Sequence, residues 1–224
     1  MVTQRIPWVV GISGASGTPY AAAVLRGLLD AGEDVDLIVS RSARLTLLDE
    51  AGIRFHQTNW RAELKNWIVR DLDNVVNWRI DNFAAGPSSG SYRTKGAIIV
   101  PASTASVAGI YLGISKDLLQ RAGEVTLKEP RPLAIVVWET PLRQATLNQL
   151  AALSGEGAII FPASPAFYAG SESVQQLVDF VAGKVLDVLG VDHNLYRRWT
   201  GGAFTVTTQF GVMWEMEDIL DRAC

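Results

Sequence analysis

Residues 11–17 read Gly-Ile-Ser-Gly-Ala-Ser-Gly and close a short apolar run, Ile6 to Val10. Glycines at 11, 14 and 17 let backbone N–H groups approach a ligand with no Cβ in the way. Ser13 and Ser16 add hydroxyls to the same turn. The Ala-Ala-Ala-Val-Leu-Arg-Gly-Leu-Leu run that follows supplies a helix whose N-terminus favours an anion. The spacing therefore suits a phosphate-bearing ligand; the alternative is that the glycines only permit close helix–strand packing. The pattern Gly-x-x-Gly-x-x-Gly is not the Gly-x-Gly-x-x-Gly of dinucleotide sites, and no Lys follows the last glycine. The next strand, 35–39, ends in Ser40-Arg41, where a dinucleotide site would place an acid for the ribose, and Asp36 lies inside it. These features favour a mononucleotide such as FMN over NAD.

Other strand ends deliver Pro101-Ala-Ser-Thr104, Trp138-Glu-Thr-Pro141 and Pro162 to Tyr168. They share small hydroxyls and prolines, with one carboxylate. Glu139 is the candidate for moving a proton, or it caps a helix over 142–152. Arg121 and Lys128 flank Ala-Gly-Glu-Val-Thr-Leu, and Lys184 interrupts an apolar helical run. A phosphate could be the partner of these cations; a solvated surface charge is the alternative for each alone. Tyr168 and Trp199 could stabilise a cation with their ring faces, or simply pack.

The elements that must hold these residues alternate. Strands are expected over 6–10, 35–39, 96–100, 133–138 and 157–161. Helices are expected over 18–30, 42–50, from about 103, and over 115–122, 142–152 and 173–189. This alternation implies an α/β fold with a doubly wound, mainly parallel sheet and helices on both faces. Residues 86–95 read as a loop. Trp60, Leu64, Trp67 and Ile68 share a helical face, suited to core or subunit packing in an otherwise irregular stretch. The chain has 224 residues, enough for one full core. Its net charge of −3 gives no electrostatic case for nucleic acid or a membrane surface. The lone cysteine, Cys224, excludes an internal disulfide and a cysteine-ligated metal. His56 and His193 stand in no ligand spacing and read as structural. No signal peptide or membrane span is evident, which makes a cytoplasmic location the expectation.

Taken in order, GISGASG (11–17), SSGS (88–91), PASTAS (101–106), LKEPRPL (127–133), ETPL (139–142), PAFY (165–168) and Arg198-Trp199 resemble the UbiX-type flavin prenyltransferases. The resemblance covers roughly residues 5 to 200. It implies a single Rossmann-like flavoprotein domain over 1–202, with 203–224 as a C-terminal extension. It implies an enzyme that joins the dimethylallyl group of dimethylallyl monophosphate to N5 and C6 of reduced FMN, without a metal. The prenylated FMN would pass to a UbiD-type decarboxylase. Homo-oligomers, trimer-based dodecamers with the site between subunits, are implied as well.

Carried over by motif, Ser13, Gly14, Ala15, Ser40, Ser103, Thr104, Ala105 and Ser106 would contact FMN. Ser16 and Glu139 would act near the flavin N5 and the departing phosphate, with Glu50 a further catalytic carboxylate. Arg121, Lys128, Tyr168 and Lys184 would hold the prenyl phosphate, some from a neighbouring subunit, Ser91 of the serine loop would also bind substrate, and Trp199 would wall the prenyl pocket. Two positions depart from the pattern. Many members carry Arg where Trp138 stands, so flavin contact there would be by stacking or backbone. Many carry Arg at the Lys184 position, and Lys keeps the charge without the bidentate grip. Two other readings compete: an FMN carrier for a decarboxylase partner, and a flavin-dependent cysteine decarboxylase. The latter pattern wants Asn and His near 101–106, and neither is present.

Overall fold

Short runs rich in Val and Ile cannot bury both faces as helices of that length, and they become strands covered on both sides. In the computed structural model, which describes residues 5–166 and 173–198, six strands form one parallel sheet. They are β1 (Trp8–Ile12), β2 (Val35–Val39), β3 (Val75–Trp78), β4 (Gly96–Ala102), β5 (Leu133–Val137) and β6 (Ile159–Pro162), in the order β3-β2-β1-β4-β5-β6. The helices are α1 (Thr18–Asp30), α2 (Arg41–Ala51), α3 (Trp60–Ile68), α4 (Thr104–Tyr111), α5 (Leu118–Lys128), α6 (Gln144–Gly155) and α7 (Val174–Val188).

Successive strand residues point to opposite faces, so one sheet feeds two cores. Val10, Ile12, Ile98, Val100, Ala134 and Val136 pack with α1, α2, α3 and α7. Val9, Ala97, Ile99, Leu133, Ile135 and Val137 pack with α4, α5 and α6. Trp60 and Trp67 lie partly buried against the first core, beside the fully buried Leu64 and Ile68. The strand order reverses between β1 and β4. Their connections leave in opposite directions and open a crevice beyond the carboxyl ends of the strands. None of the described helices is long and apolar enough to cross a membrane.

The expected alternation holds, with two differences. Residues 75–78 form the edge strand β3; only Val75 of its four residues is buried, so the segment carries no readable period. The helix expected over 115–122 starts at Leu118, after the Asp117 carboxylate accepts from Gln120 N–H at 2.9 Å, and runs on to Lys128.

Asp36, fully buried in the middle of β2, is held by Arg5 at 2.5 Å and by the Tyr92 hydroxyl at 2.9 Å. Arg5 also donates to the carbonyls of Val35 and Asn74, at 2.7 and 3.2 Å. Burial, together with the Asp36 charge, pushes the Tyr92 hydroxyl up to about 12. Arg5→Ala strands a buried carboxylate and is expected to cost about 3 kcal/mol in urea unfolding. An unchanged urea midpoint would show that Tyr92 alone suffices.

Candidate active site

The β1–α1 turn is held from behind. Gly17 adopts a positive φ of 102° and ends the turn. A Cβ on Gly14 would lie 2.2 Å from Ser42 Cβ, so only glycine lets the turn rest on the start of α2. At the other end of α2, Glu50 reaches back to the turn. Its carboxylate accepts from Gly17 N–H at 3.1 Å, Thr18 N–H at 2.9 Å and the Thr18 hydroxyl at 2.8 Å. The anion at the N-terminus of α1 in the chain itself is therefore this carboxylate. Burial pushes the Glu50 carboxyl up, but hydrogen bonds from Ser16, Thr18 and Gly17 outweigh it and hold the group below its ordinary range.

Beyond β4 the chain is tied to the same turn. Ser13, buried, donates to Pro101 O at 2.8 Å and accepts from Ser103 N–H at 2.6 Å. Ser103 caps α4 by accepting from Ser106 N–H at 3.2 Å, and Ser40 caps α2 by accepting from Ala43 N–H at 3.0 Å. A capping hydroxyl that accepts with a lone pair still carries its own proton to give.

Between these caps lies a cleft of about 1140 Å³. Gly14, Ala15 and Ser16 line it from β1, Ser40 from β2, Ser103 to Ser106 from β4, and Trp138, Glu139 and Thr140 from β5. Trp138 is 41% exposed and leans on Tyr20, ring centroids 5.4 Å apart. Glu139 does not cap α6, which begins after Arg143 with no side-chain cap, so the capping alternative falls. Trp138, Glu139 and Thr140 also wall a second, apolar pocket of about 440 Å³ beside α6. Arg41, Lys116, Asp117 and Gln120 join the cleft as well. No motif pointed to the last three; Arg41 was visible only as the residue after Ser40.

The remaining candidates do not line this cleft. Ser13 lies beneath it and Glu50 behind it. On the α5 face, Arg121 donates to Ser88 O at 3.0 Å and pairs with Glu124 at 3.1 Å. Lys128 pairs with Glu129 at 2.9 Å, and Ser91 Oγ lies 3.0 Å from Ser89 Oγ. Arg131, unassigned in the sequence although inside a quoted motif, straps this loop by donating to Gly90 O at 2.7 Å and Tyr92 O at 2.9 Å. Lys184, half-exposed on α7, lies 3.7 Å from Asp187. Tyr168 and Trp199 lie outside the described residues. Of the histidines, His56 is exposed and the His193 ring is buried on Asp187 at 3.0 Å.

A family model described as Flavoprotein matches residues 2–186. Flavin prenyltransferase UbiX of Streptomyces coelicolor is 61% identical over 207 residues, 88% of this chain and 96% of that one. The chain belongs to the UbiX flavin prenyltransferase family. Two solved relatives superpose on it with a TM-score of 0.77. One is AnUbiX (PadA1) in complex with FMN and dimethylallyl pyrophosphate, 35% identical, covering 89% of this chain and 100% of that one. The other is a dodecameric FMN-dependent UbiX-like decarboxylase from Escherichia coli O157:H7, 34% identical, covering 88% and 100%.

The depressed Glu50 carboxyl makes a prediction with a definite sign. Its stabilisation is present above the ordinary carboxylate range and is lost as pH falls below about 4.5. Glu50→Gln should be less stable at neutral pH by about 1 kcal/mol. Its urea midpoint should then fall less steeply than wild type between pH 5 and 3. Parallel curves would remove Glu50 from the acid response.

Proposed function

We propose that this UbiX family member transfers a dimethylallyl group from dimethylallyl monophosphate to N5 and C6 of reduced FMN. The observation that carries the reading is the convergence on one cleft of the Ser40 and Ser103 caps, the Ser16 hydroxyl and the Glu139 carboxylate. The residues present fit a flavin mononucleotide. Hydroxyl protons and helix N-termini suit a phosphate, while Ile80, Phe83, Ile114 and Trp138 give the same cleft apolar walls for a planar ring system.

Reduced flavin supplies the nucleophilic positions, N5 and then C6. The chain's own residues do the rest. Ser13 fixes the β4 end so that Ser103 to Ser106 can hold the flavin. Ser16, its hydroxyl held by Glu50, would act near the flavin N5 and the departing phosphate. As the allylic C–O bond breaks, cations clamp the leaving anion, which lowers the cost of the charge that develops. Closing the ring at C6 puts one proton onto the prenyl double bond and takes one off C6, a net-neutral exchange that the released phosphate, aided by Glu139 and Ser16, would carry. Trp138, half-exposed and tilted against Tyr20, serves as a ring contact where many relatives use a guanidinium.

Arg121, Ser91 and Lys128 do not line the protomer's own cleft. We infer that they complete the donor site of a neighbouring copy, with Tyr168, Lys184 and Trp199, in a dodecameric assembly. The dodecameric relative supports this reading. Residues 1–202 would then form the catalytic domain and 203–224 an extension. The product would serve a UbiD-type decarboxylase in the cytoplasm.

The test is anaerobic incubation with reduced FMN and dimethylallyl monophosphate, followed by mass analysis of the extracted flavin. A flavin heavier by one C5H8 unit is expected. Bound but unmodified flavin, with the monophosphate and then the diphosphate, would favour a carrier. Glu139→Gln should slow adduct formation about a hundredfold and leave the FMN dissociation constant unchanged. Wild-type kinetics would remove Glu139 from proton transfer. Trp138→Arg should retain turnover; a folded but inactive variant would show that the indole has a task that a guanidinium cannot perform.

A further inference from the structure

Away from the cleft, one carboxylate gathers an unusual number of partners. Asp187, in the last turn of α7, is only 18% exposed. Its Oδ1 takes the His193 ring at 3.0 Å and the Arg198 guanidinium at 2.7 Å. Its Oδ2 accepts from the Tyr196 hydroxyl and lies 3.7 Å from Lys184 Nζ. The cluster is closely built. A Cβ on Gly183 would come within 2.5 Å of the Tyr196 ring and 2.7 Å of the His193 ring, so α7 can accept the returning 193–198 segment only at a glycine. The Tyr196 ring also packs 4.9 Å from Phe180 and 5.5 Å from His193. Leu195 N–H donates to His193 Nδ1 at 3.1 Å, which leaves the ring proton on Nε2 to face Asp187.

Burial works against the charged form of Asp187. Hydrogen bonds from Tyr196, Arg198 and His193 outweigh it and hold the carboxyl at about 2, so it stays ionised through the neutral range. One anion therefore faces two cations, Lys184 and Arg198, each about half exposed. The excess positive charge, with N–H donors left over on both side chains, suits a dianion.

We propose that Asp187 is a positioning residue that draws Lys184 and Arg198 into a paired cation site for the phosphate end of the prenyl donor, with Arg198 a binding residue alongside Lys184. This rests on the prenyl-transfer reading for the identity of the anion. The geometry also fixes the 193–198 segment on the end of α7.

The sign of one substitution separates positioning from charge. Asp187→Asn removes a negative charge beside an anion site. If charge alone mattered, phosphate would bind more tightly. If the carboxylate positions the two cations, the KM for dimethylallyl monophosphate should rise about tenfold, with kcat at saturating donor and the FMN dissociation constant unchanged. Lys184→Ala and Arg198→Ala should each raise the same KM, and Asp187→Asn should add little on top of the pair.

Inorganic phosphate binding by calorimetry on the full chain supplies a readout independent of turnover. It should weaken in all three single variants. If wild type builds no prenylated flavin, the prenyl-transfer reading fails, and calorimetry with inorganic phosphate still decides the cation site. Tighter or unchanged phosphate binding in Asp187→Asn would overturn the proposal. If Asp187→Asn fails to fold, Tyr196→Phe, which removes one hydroxyl from the carboxylate, should raise the donor KM about threefold. No rise there would overturn it equally.

Discussion

The Glu50 carboxylate on the N-terminus of α1 is the contact on which the site depends. A helix start leaves unsatisfied N–H groups and a partial positive charge, and an anion placed there is stabilised. Here the anion is covalently part of α2. The bond therefore does more than cap a helix: it pins α2 to the β1–α1 turn, while Gly14 lets the other end of α2 lie against the same turn. With both ends of α2 fixed, Ser40 at its cap and Ser16 in the turn face one cleft from two strands. The N–H groups that Glu50 occupies are not open to a ligand, and on the proposed reading the flavin phosphate meets the caps of α2 and α4 instead.

Those caps show how one side chain can serve fold and ligand together. Ser40 and Ser103 each satisfy a backbone N–H of their own helix through a lone pair. Alanine at either position would lose that cap, and with it the hydroxyl proton offered to the cleft. Ser13 works one step further back. It has no surface in the cleft, yet it clamps the β1 and β4 ends together through Pro101 O and Ser103 N–H. The crevice at the point where the strand order reverses is thereby held at a fixed width.

Much of this was legible in the sequence because it rests on local patterns. Five of the strands announce themselves as apolar runs, and the hydroxyl-rich ends of β1 and β4 as small residues after them. β3 escaped because four residues with one buried side chain carry no period. The roles of Glu50 and Arg131 escaped for another reason. Both act across long sequence separations, and what each reaches is set by tertiary packing. The carboxylate that occupies the start of α1 lies 33 residues away and cannot be read from a glycine turn. Lys184 was rightly singled out as a charge in an apolar helix, but its partner in the chain, Asp187, lies one turn away on the same helix.

The distribution of positive charge gives the proposed assembly its physical rationale. Arg121 and Lys128 are each half satisfied by an adjacent glutamate, Glu124 and Glu129, and so keep donors for another anion. Lys184 and Arg198 share one aspartate in the same manner. Cations parked on carboxylates stay ordered in the protomer without the cost of an unpaired like-charge cluster. In the proposed assembly they would exchange part of that partnership for a phosphate when a second copy brings its cleft alongside. On the proposed reading, the leaving group is clamped only where protomers meet, so the allylic C–O bond is activated only in a closed, water-poor site. An isolated protomer could hold flavin in its cleft and still lack the charge needed to break that bond.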